Sequence, residues 1–251
     1  MAVIPAVQVS AGAPPVGESL IRSVSTGSRM TYSRLIGAMF LAGFLLYGVG
    51  SAVATSTASA SNVLSTLSTD HTIFVLAVLL MLLNTPVDVA KAILFFPILE
   101  THSKRTALAY LATMVVEVVF LSLGAFVLLM IVPLAHYAAE GWAKGLGSLL
   151  VQSNAMAYTI GEAALGFGAL FLCVLLFRTR LIPRWLAISG LIGYVCLMTG
   201  QIAAIFGIIP NIGLYSVIPG FFFEVTLPFW LIFKGFQPEA YRGQPVVESP
   251  A

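Results

Sequence analysis

Residues 214–233, "LYSVIPGFFFEVTLPFWLIF", form an apolar run with a single carboxylic acid, Glu224, near its middle. About 20 helical residues cross the roughly 30 Å hydrocarbon layer of a bilayer, so the run reads as a transmembrane helix. An acid facing lipid at that depth costs about 3 kcal/mol on insertion scales, so Glu224 has to face other helices or water. A single helix cannot provide that interior.

The rest of the chain provides it. With 59% hydrophobic and 9% charged residues, the composition is that of a membrane protein. Apolar blocks of spanning length recur at 35–55, 73–99, 107–134, 155–177 and 185–209. Period-2 alternation is absent, which argues against a barrel. The expected fold is therefore all-α, a bundle of six transmembrane helices.

Lys and Arg gather on one side of these blocks. Arg22, Arg29 and Arg34 precede the first, Lys104 and Arg105 follow the second, Arg178, Arg180 and Arg184 follow the fourth, and Lys234 and Arg242 follow the sixth. Only Lys144 falls opposite. The excess of positive charge places both termini in the cytoplasm. Residues 1–32 and 237–251 read as flexible cytoplasmic tails around a membrane domain at 33–236, and the first tail lacks the basic start and apolar core of a secretory signal. Of the outer segments, 55–70 reads as a small polar loop, and 136–154 as either a surface loop or a short interfacial helix anchored by Trp142.

Several chemistries are disfavoured by the pattern. His71, His102 and His136 lie in loops or at span ends, where two cannot face each other to hold a haem. Neither HExxH nor GxxxxGK[ST] occurs. Cys173 and Cys196 lie at different depths on neighbouring spans and read as packing residues. No cofactor and no nucleic acid is implied, and the lipid bilayer is the expected partner.

What remains is polar residues inside spans. Asn84, Asp88 and Lys91 follow at i, i+4 and i+7, one stripe of the second helix. Glu117 lies mid-way along the third, Glu162 in the outer part of the fourth, Gln201 in the outer part of the fifth, and Glu224 mid-way along the sixth. Four acids face one base, which leaves three negative charges that need protons, cations or water. Packing by interhelical hydrogen bonds is the alternative, worth only about 0.6 kcal/mol per contact in membranes. Pro228 frees the carbonyl of Glu224, and Pro86 that of Leu82, so broken backbone pairing accompanies both acid positions.

These segments carry a resemblance. "LLNTPVDVAKAILFFPILETHSKRTALAYLATMVVEVVFLSLGA", "RTRLIPRWLAISGLIGYV" and "VIPGFFFEVTLPFWLIFKGF" resemble the bacterial integral membrane family called domain of unknown function 4386, over nearly all of residues 34–236. Pro183, Trp185, Glu117, Glu224 and the closing Lys234, Gly235 and Phe236 are its most specific pieces. The resemblance implies six helices in a bacterial cytoplasmic membrane and no established activity. Members often carry an arginine three residues before the third-helix glutamate, where this chain has Met114, and Lys91 enters where the pattern is usually apolar. A base lost from the third helix is thus replaced from the second, pairing with Glu117, Asp88 or both; a purely local Asp88–Lys91 pair is the alternative.

The loop with Arg178, Arg180 and Arg184 either binds anionic headgroups or only fixes topology. Ala38 and Ala42, Ala164 and Gly168, and Ser189 and Gly193 are small pairs suited to close helix contacts. Three functions fit. The first is proton- or cation-linked transport or permeation of a small solute, with Asn84, Asp88, Lys91, Glu117, Glu162, Gln201 and Glu224 as binding residues. The second is an accessory subunit with a polar packing core, docked on a membrane partner or a second copy. The third is an intramembrane lipid-binding protein or enzyme working with paired carboxylates.

Overall fold

Apolar blocks of this length can enter lipid only as helices, since a helix satisfies its own backbone hydrogen bonds. The structure, a computed structural model, describes residues 26–60, 63–209 and 211–237. Every regular element among them is helical: α1 (Thr26–Ala58), α2 (Val63–Thr69), α3 (Thr72–Leu129), α4 (Ile131–Leu134), a 3-10 turn (Ala135–Tyr137), α5 (Gly141–Thr179), α6 (Arg184–Ile205) and α7 (Ile212–Phe233). Five helices are long and apolar enough to cross a membrane, where hydropathy suggested six blocks.

The difference lies in α3. Its 58 residues include one non-helical position, Ser103 (φ −160°, ψ 98°). Two contacts show that the chain folds back there. The rings of Phe95 and Tyr110 lie 6.1 Å apart, and the hydroxyls of Thr85 and Ser122 are 2.7 Å apart. On a straight helix those pairs would be about 22 Å and about 55 Å apart. α3 is therefore two antiparallel arms.

Ser103 starts the second arm as its N-cap. Its Oγ accepts the backbone N–H of Thr106 at 3.2 Å, satisfying one of the donors a helix start leaves unpaired. Ser103→Ala should cost about 1 kcal/mol. Chemical denaturation of the purified protein measures it, and an unchanged midpoint would remove Ser103 from this role.

Helix bounds also differ from the hydropathy reading. α1 starts at Thr26, ahead of the apolar block that begins at residue 35. The outer segment 55–70 is not simply a loop, because α2 forms within it and buries Leu64 and Leu67. Segment 136–154 is neither a loop nor a separate interfacial helix. α5 begins at Gly141 and continues unbroken for 39 residues, about 58 Å. Arg22, Arg242 and most of both expected tails lie outside the described residues. In the segment between α2 and α3, Asp70 Oδ1 accepts the N–H of Thr72 at 2.8 Å, which holds this carboxyl below its ordinary range.

The helices close a ring in the order α1, α3, α5, α6, α7 and back to α1. Glycines set the closest approaches. A methyl at Gly193 would stand 2.6 Å from the Cα of Gly220, and one at Gly168 would overlap Thr113 at 1.8 Å. Ala38 is exposed, so Gly37, against the Pro228 carbonyl, makes the α1–α7 approach instead. At the arginine-rich end, Phe236 N–H donates to Ser33 Oγ at 3.3 Å and Gln237 N–H to the Leu181 carbonyl at 3.0 Å.

Two apolar clusters fill the bundle. One, at the arginine-rich end, joins residues such as Ile36, Phe95, Met114, Leu172 and Leu231. The other, at the far end, joins Ala54, Phe74, Met81, Leu128 and Ile131. In both arms of α3, the buried polar side chains Asn84, Asp88 and Glu117 fall between the two clusters.

Candidate functional site

Between those clusters lies a cavity of about 170 Å³. Asn84, Asp88 and Lys91 from the first arm of α3, Glu117 from the second arm, Glu162 from α5 and Glu224 from α7 all belong to its wall. The helical period put the first three on one stripe, and the folding back of α3 brings Glu117 opposite them.

The stripe is bonded within itself. Asn84 Nδ2 donates to Asp88 Oδ2 at 2.5 Å, and Lys91 Nζ donates to Asp88 Oδ1 at 2.5 Å. Lys91 Nζ also stands 4.6 Å from the ring centre of Phe40, so the ammonium sits between a carboxylate and an aromatic face. Lys91 thus pairs with Asp88, the local partner, and Met114 is buried in the apolar cluster. α1 makes room with Gly43, where a methyl would stand 2.9 Å from both Asn84 Oδ1 and Asp88 Oδ1.

The remaining acids are treated differently. Glu224 accepts the hydroxyl of Tyr194 from α6 at 3.0 Å. Glu117 is buried, and its Oε2 has no hydrogen-bond partner. Glu162 lies one turn from Tyr158, whose ring stacks on Tyr47 of α1 with centres 6.0 Å apart. Both tyrosines belong to the cavity wall.

Other expected site residues stand apart. Gln201 is buried but spends its amide on the Gly213 carbonyl at 2.9 Å and on Ser216 Oγ at 3.4 Å, joining α6 to α7 away from the cavity. Arg178, Arg180 and Arg184 are exposed. Arg180 adopts a left-handed conformation (φ 56°) that ends α5, and Arg184 lies over the Phe177 ring at 5.3 Å. Arg180 and Arg184, with Gln237, line a groove of about 520 Å³. Cys173 and Cys196 are free thiols.

The aromatic wall was not anticipated. Tyr47, Tyr158, Phe40 and Phe44 carry no polar-in-lipid warning of the kind an acid does, since tyrosine and phenylalanine are ordinary in membrane helices. The spacing of Tyr158 to Glu162, one helical turn, was the available signal.

Helices this long and apolar, packed as a ring, give the chain the character of a membrane-helix protein. It belongs to the family described as domain of unknown function (DUF4386), whose model matches residues 35–235. No curated protein and no solved structure matches it.

Proposed function

We propose that the chain crosses a bacterial cytoplasmic membrane six times, with both termini cytoplasmic, and carries out proton- or cation-linked passage of a small solute through its central cavity. The turn at Ser103 supports the sixth crossing, and the one-sided Lys and Arg distribution supports the orientation. One observation carries the functional reading: among the described residues, four acids and one base share a cavity between two apolar layers. Acids in the membrane interior are costly, and a set that outnumbers its base attracts protons or cations. The exposed Arg178, Arg180 and Arg184 suit anionic lipid headgroups.

An accessory subunit with a polar packing core is the second reading. The Tyr194–Glu224 bond and the Thr85–Ser122 contact favour it, because each satisfies polar groups between helices without a ligand.

Proteoliposomes separate the two. Wild-type protein should pass protons or a monovalent cation, and Glu117→Gln, which keeps the volume and removes the charge, should cut that flux roughly tenfold or more at unchanged thermal stability. Wild-type vesicles no leakier than empty ones, across a panel of ions and small solutes, would turn the assignment to the accessory reading.

A further inference from the structure

Among the described residues, two that line the cavity each carry a buried acceptor without a donor, Glu117 Oε2 and Asn84 Oδ1. Both residues are at least nine-tenths buried, at 5% and 3% relative exposure. The orientation of the Asn84 amide follows from its nitrogen donating to Asp88, so the atom left over is the oxygen. A buried acceptor without a partner is disfavoured enough that native structures rarely keep one unexplained. Here two occur in one wall, and one of them belongs to an acid. These two oxygens lack a donor, and among the described residues of the wall four acids face one ammonium, so positive charge is short as well.

Lys91 does not fill that need, since its ammonium is held by Asp88 and Phe40. It does show what this wall accepts, namely an ammonium between a carboxylate and an aromatic face. The wall has a second set of the same parts, with Glu162 beside the stacked Tyr47 and Tyr158 rings and Glu117 exposing no partner to its own oxygen.

Bare metal ions suit the site less well. Hard cations need several oxygens converging at about 2.0–2.6 Å. Among the described residues no three His, Cys, Asp or Glu side chains are placed to hold a metal, although four acids line this cavity. Dispersed acids around aromatic rings fit a larger cation. The volume of about 170 Å³ compares with roughly 10–15 Å³ on the same measure for one water, so a solute of a few heavy atoms fits.

Deepening the transport reading, on which it rests, we infer that the cavity binds a small primary alkylammonium ion, its N–H groups donating to Glu117 Oε2 and Asn84 Oδ1. A primary ammonium brings three donors and one positive charge, which answers both shortages together.

The test is calorimetric titration of the full chain in lipid nanodiscs with propylammonium, tetramethylammonium and potassium chlorides at matched ionic strength. Propylammonium should bind about tenfold or more tightly than either, since charge-assisted hydrogen bonds are lost with tetramethylammonium and the alkyl contact with potassium. Glu117→Gln and Gly43→Ala should each weaken it. The comparison among the three cations uses wild-type protein alone, so a variant that fails to fold does not decide the matter. Equal affinity for tetramethylammonium or potassium, or no saturable heat with propylammonium, would overturn the inference. If protons or inorganic cations still pass in proteoliposomes, only the amine assignment falls. Saturable propylammonium binding without any flux would leave the site standing and remove the transport role.

Discussion

Gly193→Leu should unfasten α6 from α7 and lower stability by more than about 3 kcal/mol, beyond the usual range for adding a methylene to a packed core. The reason is that the clashing atoms are backbone. A methyl at Gly193 would stand 2.6 Å from Gly220 Cα, 2.9 Å from Gly220 N and 3.1 Å from the Pro219 carbonyl carbon, so no side-chain rotation relieves it. The seam continues on either side: a methyl at Gly190 would stand 2.9 Å from the Phe223 ring, and one at Gly200 2.1 Å from Ser216 Cβ. The only relief is to separate the helices, which also pulls Tyr194 from Glu224. Ala38→Leu, at an exposed position of α1, should stay within about 0.5 kcal/mol and serves as the control. Thermal and denaturant unfolding in detergent read both. A Gly193→Leu protein that melts with the wild type would mean the α6–α7 seam is looser than these distances state.

Part of this architecture was legible before any coordinates. Hydropathy located every long apolar block because lipid imposes one length and one backbone solution on all of them. The boundaries were less visible wherever a helix leaves the apolar layer. In the first turns of α5, Lys144, Ser148 and Gln152 follow at helical spacing, yet their polarity reads as a loop. The Asn84, Asp88 and Lys91 stripe was legible because the helical period alone fixes which residues share a face. Glu117 and Glu224 were expected at similar depth, and both do line the cavity.

Gln201 shows the limit of the same argument. A buried amide in a membrane helix has to find partners, but sequence does not say whether they are a solute or the next helix. Here the Gly213 carbonyl and Ser216 take it. Pairings across the bundle, such as Tyr47 with Tyr158 or Tyr194 with Glu224, depend on how the helices are rotated against one another. Glycine contacts far along the chain set that rotation, and no local pattern reports it.

Lys91→Met should be the most damaging change within the cavity, costing about 3 kcal/mol or more, while Lys91→Met combined with Asp88→Asn should recover most of the loss. Methionine keeps the volume of the lysine stem and a favourable contact with the Phe40 ring, so packing changes little. What disappears is, among the described residues, the base paired with Asp88, whose side chain is 8% exposed and which keeps the Asn84 amide as a partner. Removing one member of a buried pair strands the other, whereas removing both charges leaves an Asn that can still accept and donate. A double-mutant cycle by denaturant unfolding should therefore give a coupling of about 2 kcal/mol, within the range for residues in one network. Additive single effects would show that the pair contributes nothing as a pair. The same variant separates stability from ligand chemistry, because losing the sole ammonium from a wall that carries four acids should tighten propylammonium binding even as the fold weakens. Weaker propylammonium binding in folded Lys91→Met protein would mean that Lys91 supports the solute site directly, and the separation of the Lys91–Asp88 pair from the solute site would have to be abandoned.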